Sequence, residues 1–178
     1  MTDVVIREVR PGDGAACAAL WRDAGEFFAG INPHTFRVPS NEGLAEWFEQ
    51  GHATYGGRRD MLTLLAEVDG IVVGSISATL LEPIETAERQ VQSDFSRQRL
   101  HIDSLDVLTA HRRGGVGTAL MKAAEAWGRS HGAEVIILET ELNNPLSMAF
   151  YEKRMGMTPE VVTLRREIDR SELNGGDA

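Results

Sequence analysis

The chain has 178 residues, 42% of them hydrophobic, with 27 acidic against 18 basic side chains and a formal charge of −9. That length reads as one domain over residues 1–170 with a polar tail over 171–178. The acidic balance argues against nucleic acid, whose binding rests on Lys and Arg contacts to phosphate. Neither a membrane span of about 18 apolar residues nor a basic, apolar leader is present, so a cytoplasmic protein is expected.

Residues 4–9 read as a first strand, and Pro11, Gly12 and Asp13 as a turn that starts a helix reaching about residue 28. The lone Cys17 cannot form an internal disulfide and sits in an alanine-rich helical pattern as a small buried hydrophobe. Asn32, Pro33 and Pro39 mark a loop, and Ser40 is a candidate cap for a second helix carrying Leu44, Trp47 and Phe48. Residues 61–68 and 71–81 are apolar and β-branched, and the Asp69-Gly70 pair between them predicts an antiparallel hairpin. Residues 82–99 are polar, either a surface excursion or a short helix. A strand follows over 100–108, then a glycine-rich turn and a helix with apolar residues at Val116, Ala119, Leu120, Ala123 and Trp127. Residues 135–140 form a continuous apolar strand, residues 145–154 a helix capped by Asn143 or Asn144, and residues 161–168 a last strand. The order predicts a mixed α/β (α+β) domain, mostly antiparallel, with one parallel crossover around the glycine-turn helix.

That turn, Arg112, Arg113, Gly114, Gly115, Val116, Gly117 and Thr118, carries the chemistry. Glycine accepts positive φ and lets a bulky anion approach the main chain. A helix start leaves about four amides without intrahelical partners, at the positive end of the peptide dipoles, so a pyrophosphate is both hydrogen-bonded and electrostatically favoured. A solvated basic loop has the same composition. The Lys-Ser or Lys-Thr pair of a P-loop is missing from the chain. A dinucleotide turn would use Gly115 and Gly117, with Glu139 as the ribose acid, but its third small position is Leu120.

Arg112, Gly115 and Gly117 match the Q/R-x-x-G-x-G/A loop of the GNAT superfamily of acetyl-CoA-dependent N-acetyltransferases. Asn144, Ser147, Tyr151, Glu152, Lys153, Gly156 and Met157 match its second signature, with Met157 in place of the usual Phe. The chain resembles this family over nearly its whole length. The resemblance implies a mixed sheet of six or seven strands with about four helices, strands four and five splayed, and a bulge near Leu105 to Val107. Leu105, Asp106 and Val107 would then offer main chain to the pantetheine arm. The amides of Arg113, Gly114, Gly115, Val116, Gly117 and Thr118 would hold the pyrophosphate, with Arg112, Asn144, Ser147 and Tyr151 completing the coenzyme A site.

Direct attack of an uncharged amine on the thioester needs a base, an oxyanion donor and an acid for the thiolate. By resemblance Tyr151 is the acid, since a phenol of pKa about 10 stays protonated at neutral pH. The amide of Val107 is the oxyanion donor. His101 and Asp103, on one strand face, are the base candidates, with Glu67, Asp106, Glu139 and Glu141 in reserve; each is equally readable as a satisfied structural group. The acceptor, a small-molecule or peptide amine, would meet the first two helices. There Phe27, Phe28, Phe36, Trp47 and Tyr55 offer apolar walls, and Glu26, Glu46 or Glu49 a counter-charge. No metal is expected, because the five His residues and Cys17 lack ligand spacing. A homodimer is compatible with the resemblance, through the last strand or the 82–99 excursion. The competing readings are a non-catalytic acyl-CoA-binding or interaction module of the same fold, and a nicotinamide-dinucleotide binder.

Overall fold

A computed structural model describes residues 3–167, which divide after Thr140 into two compact units. The first contains β1 (Val4–Glu8), α1 (Gly14–Ile31), α2 (Leu44–Tyr55), β2 (Met61–Val68), β3 (Ile71–Leu81), β4 (Arg99–Val107), α3 (Val116–Ser130) and β5 (Val135–Ile137). The strands lie in the order β1-β2-β3-β4-β5, antiparallel throughout except for the parallel β4–β5 pair. No helix of the described residues is long and apolar enough to cross a membrane.

The predicted hairpin closes in two residues. Asp69 and Gly70 have φ of 52° and 77°, and Val68 faces Ile71 across the turn. Two successive positive φ values give a turn whose twist matches that of the strands it joins. Leu65, Val73, Ile76, Leu100, Leu120 and Met121 are fully buried and form the centre of the core. Gly74 lets α3 approach the sheet: a Cβ there would stand 2.9 Å from Cγ1 of Val116 and 3.1 Å from Cδ1 of Leu120. That close approach seats the first turn of α3 against the β3 residue that pairs with Val107.

The two N-terminal helices are joined by a carboxylate. Glu49 of α2 accepts from the main-chain amides of Gly12 at 2.9 Å and Gly14 at 2.6 Å, so it caps α1 rather than waiting for a cationic substrate. Gly14 is required by this crossing, since its Cβ would lie 2.4 Å from the Ala45 carbonyl. Arg7 of β1 clasps Asp13 at 2.7 Å and Glu67 at 2.6 Å, which commits Glu67, a reserve base, to an ion pair.

Several boundaries differ from expectation. α1 runs on to Ile31, and α2 begins at Leu44 behind Gly43 at φ 70°. Ser40 is not its cap; the Ser40 hydroxyl instead accepts from the Glu42 amide at 3.2 Å. The 82–98 stretch holds two short 3-10 turns, Ala87–Arg89 and Ser93–Ser96. β5 is three residues long rather than six.

In the second unit, α4 (Ser147–Ala149) runs directly into a π-helical turn, Phe150–Arg154. The strand expected over 161–168 is not formed across 161–167, and Ile168, like the expected tail, lies outside the described residues. Val161, Val162 and Leu164 are 87%, 64% and 91% exposed. Alternating β-branched residues make a strand only where a neighbouring edge takes up their hydrogen bonds and a surface buries one face. The sheet of the described residues therefore has five strands, not six or seven.

Candidate active site

The parallel pairing of β4 with β5 covers only Arg99, Leu100 and His101, opposite Val135, Ile136 and Ile137. Beyond it, β4 continues to Val107 with its β3 edge paired and its other edge open, the expected splay. The amide of Leu108 donates to the Val73 carbonyl at 2.9 Å. By strand alternation the main-chain groups of Asp106 also face β3, while those of Leu105 and Val107 face the open edge. An extended ligand can add to that edge as a further strand would.

The open edge leads into the glycine turn. Arg113 has φ 63° and Gly115 φ 91°, ahead of α3, whose first residue is Val116. Alternation of left- and right-handed residues turns successive amides to one side and makes an anion-binding concavity. The helix has no side-chain cap, so the first-turn amides at Val116, Gly117 and Thr118 keep their donors. Arg112 is placed differently from a phosphate-gripping side chain. It donates to the Val107 carbonyl at 3.0 Å and to Asp23 at 2.9 Å, and stacks over Phe27 at 4.4 Å. Asp23 in turn accepts from the amide and hydroxyl of Thr109 at 3.2 and 3.0 Å. Arg112 thus ties the turn to α1, which leaves the main chain and Arg113 as the groups of the turn a ligand could meet.

The bulge expected near Leu105 to Val107 lies instead at Asp103, where Ser77 pairs with Ser104 but Ala78 pairs with Ile102. The extra residue turns its carboxylate to Thr79, whose hydroxyl donates at 2.7 Å, and to His101 Nδ1 at 2.6 Å. His101 Nε2 lies 2.7 Å from Glu139. A carboxylate only accepts, so with both carboxylates ionised the arrangement is satisfied in full only by the protonated ring, both of whose nitrogens donate. Burial opposes that charge, but the bonds to Glu139 and Asp103 outweigh it and hold the pKa above the ordinary value of 6.5. The ring therefore stabilises the fold fully below pH 6.5 and loses that contribution as pH rises through its native-state value. NMR titration of the His101 ring is expected to give a midpoint above 6.5 in the native protein, moving down in Glu139→Gln; a midpoint at or below 6.5 rules this arrangement out.

Asp106 is the most perturbed acid of the β4 stretch. It is 9% exposed, and burial pushes its carboxyl up to about 6, against the opposing pull of a hydrogen bond from Ser104 and the charge of Arg112. Ser104 also shares a 2.9 Å bond with the Ser77 hydroxyl. α1 and α2 border a groove of about 500 Å³ lined by Ala15, Ala18, Arg22, Asp23, Glu26 and Leu108 among others. Glu26 pairs with Arg22 at 3.7 Å. Phe28 meets Phe27 edge-on and Phe36 at a tilt, whereas Trp47 and Tyr55 are more than half exposed.

In the second unit, Asn144 is buried and its Oδ1 accepts from the amides of Leu146 at 3.0 Å and Ser147 at 3.2 Å, capping α4. Tyr151 sits in the π-helical turn, its ring 5.1 Å from that of Phe150, and its carbonyl accepts from the Met157 amide. Among the described residues no group of three or more His, Cys, Asp or Glu is placed to hold a metal ion. The Arg112–Asp23 tie had no local signal in the sequence, because its partners are 89 positions apart.

Comparison with known proteins gives a consistent picture. Over 80 residues the chain is 35% identical to N-alpha-acetyltransferase 30 of Schizosaccharomyces pombe, covering 45% of this chain and 49% of that protein. Over 90 residues it is 33% identical to an N-alpha-acetyltransferase of Sulfurisphaera tokodaii, covering 50% and 52%. These matches span about half the length of the curated relatives. An aminoglycoside N-acetyltransferase solved in complex with CoA shares the fold, with a TM-score of 0.62 at 15% identity over 94% of this chain and 97% of that one. Residues 20–157 match the acetyltransferase (GNAT) family model, a span that includes the open strand edge, the glycine turn and the second signature; the chain belongs to that family.

Proposed function

We propose that the protein is an N-acetyltransferase that moves an acetyl group from acetyl-CoA to a primary amine by direct attack in a ternary complex. The observation that carries this reading is the open β4 edge past His101 running into the left-handed turn ahead of α3. The edge suits the amide-rich pantetheine arm, and the turn suits the diphosphate. The family match runs through both units, which supports treating residues 1–170 as one catalytic domain.

In this reading the amine nitrogen attacks the thioester carbonyl, whose oxygen is met by the Val107 amide, and the carbon–sulfur bond breaks. Asp106 takes the amine proton by way of Ser104, replacing His101 and Asp103 as the base, because both ring nitrogens of His101 are engaged by carboxylates and Asp103 is spent holding it. Tyr151 keeps the role implied by the family signature and returns a proton to the departing thiolate. The Arg112–Asp23 tie positions α1, the wall of the acceptor groove, relative to the turn. Two relatives are named N-alpha-acetyltransferases, so peptides with free α-amines head the list of acceptors, followed by small primary amines.

The test is acetyl-CoA-dependent release of free thiol over a panel of such peptides, polyamines and aminoglycosides. At least one acceptor is expected to turn over, and Tyr151→Phe to lose about 10²-fold or more in rate with CoA binding intact. Binding of CoA with no turnover on any amine would favour the non-catalytic module.

A further inference from the structure

Arg99 opens β4 and is only 6% exposed. Its Nε is sealed from solvent and has no hydrogen-bond partner, and no hydrogen bond or ion pair of the described residues involves its guanidinium. The guanidinium lies over the Phe95 ring at 4.6 Å, and Arg89 lies over the same ring at 5.0 Å, also without a carboxylate.

This is unusual for a chain with nine more acids than bases. Arg97, two residues away, takes both Asp94 and Glu134, while Glu82 is used by Gln98. Desolvating a permanent cation costs several kcal/mol unless an anion offsets it. A ring face offsets only part of that cost, since cation–π contacts contribute about 0.5–2 kcal/mol. The two cations flank one aromatic ring, and the buried one presents a planar set of donors matched to the paired oxygens of a carboxylate or phosphate.

We infer that Arg99, with Arg89 and Phe95, forms a binding site for a small oxyanion, a carboxylate or a phosphate group, at the end of β4 away from the glycine turn. Phe95 holds the buried guanidinium in place, and Arg89, on the Ala87–Arg89 turn, supplies a second positive charge at the rim. The site stands independently of the acetyl-transfer reading, since it uses none of that reading's residues. It also gives the polar 82–98 excursion a role, because Arg89 and Phe95 both come from it.

The experiment is thermal unfolding of the full chain against inorganic phosphate, succinate and sodium chloride at matched ionic strength, with 31P NMR line broadening of phosphate as a direct readout. Phosphate or succinate is expected to raise the melting temperature saturably where chloride does not; which of the two acts identifies the ligand as a phosphate or a carboxylate. Arg99→Met, which keeps the stem and removes the charge, is expected to weaken that binding about 10- to 100-fold. Arg89→Ala, at an exposed position, is expected to weaken it less and serves as the second variant where Arg99→Met does not fold. The inference is overturned if all three salts act alike, or if Arg99→Met, or both Arg89→Ala and Phe95→Leu, leave the saturable shift unchanged.

Discussion

Gly115→Glu is expected to abolish the thermal stabilisation that CoA gives the protein. Gly115 has φ 91° immediately before α3, and a Cβ there would meet no atom within 4 Å. What forbids a side chain at Gly115 is therefore conformation and charge rather than crowding. A left-handed non-glycine residue costs about 1–2 kcal/mol. A carboxylate at the helix start would itself be drawn to the amides and would repel a diphosphate. Gly115→Ala carries the conformational cost without the charge, so its melting temperature is expected to fall while CoA still stabilises it. Titration calorimetry of both variants separates the effects; CoA binding as tight to the Glu variant as to the native protein would remove the assigned site.

Asp106→Asn is expected to lose about 10²- to 10⁴-fold in turnover while gaining stability at neutral pH. Asn keeps an acceptor for Ser104 but cannot take a proton. The acid limb of the native pH–rate profile is expected near pH 6, where burial sets this carboxyl, and to vanish in the variant. The stability sign follows from the same rise. A carboxyl that binds its proton more tightly when folded favours the native state at low pH and costs stability as pH climbs from 3.8 through about 6. Raising a pKa from 3.8 to about 6 corresponds to about 3 kcal/mol, the upper bound on what the Asn variant recovers at pH 7. An Asp106→Asn protein with native turnover, or with an unchanged acid limb, would return the base to another group.

The stability gain follows from burial of Asp106 alone, so the loss of turnover and of the acid limb is the readout that a merely structural Asp106 would not move. Asp13 has the opposite sign and would lose stability on neutralisation, because its carboxyl is held low by its bond to Arg7.

Wherever local chemistry decides conformation, the sequence was a sufficient guide. Asp69-Gly70 demands positive φ twice, and Gly115 once, at the turn into an apolar helical repeat; both features stand where the residues predicted them. The antiparallel hairpin, the parallel crossover and the left-handed glycine turn ahead of α3 followed from those positions. Tertiary structure alone decided the bulge at Asp103, the clamping of His101 between two carboxylates, and the tie from Arg112 to Asp23 across 89 positions. It also decided that residues 161–167 add no strand to the sheet. In each case the outcome depends on which distant groups share a small volume. Burial and pairing energies are set by such neighbours, whereas turn geometry is set by the residues of the turn itself.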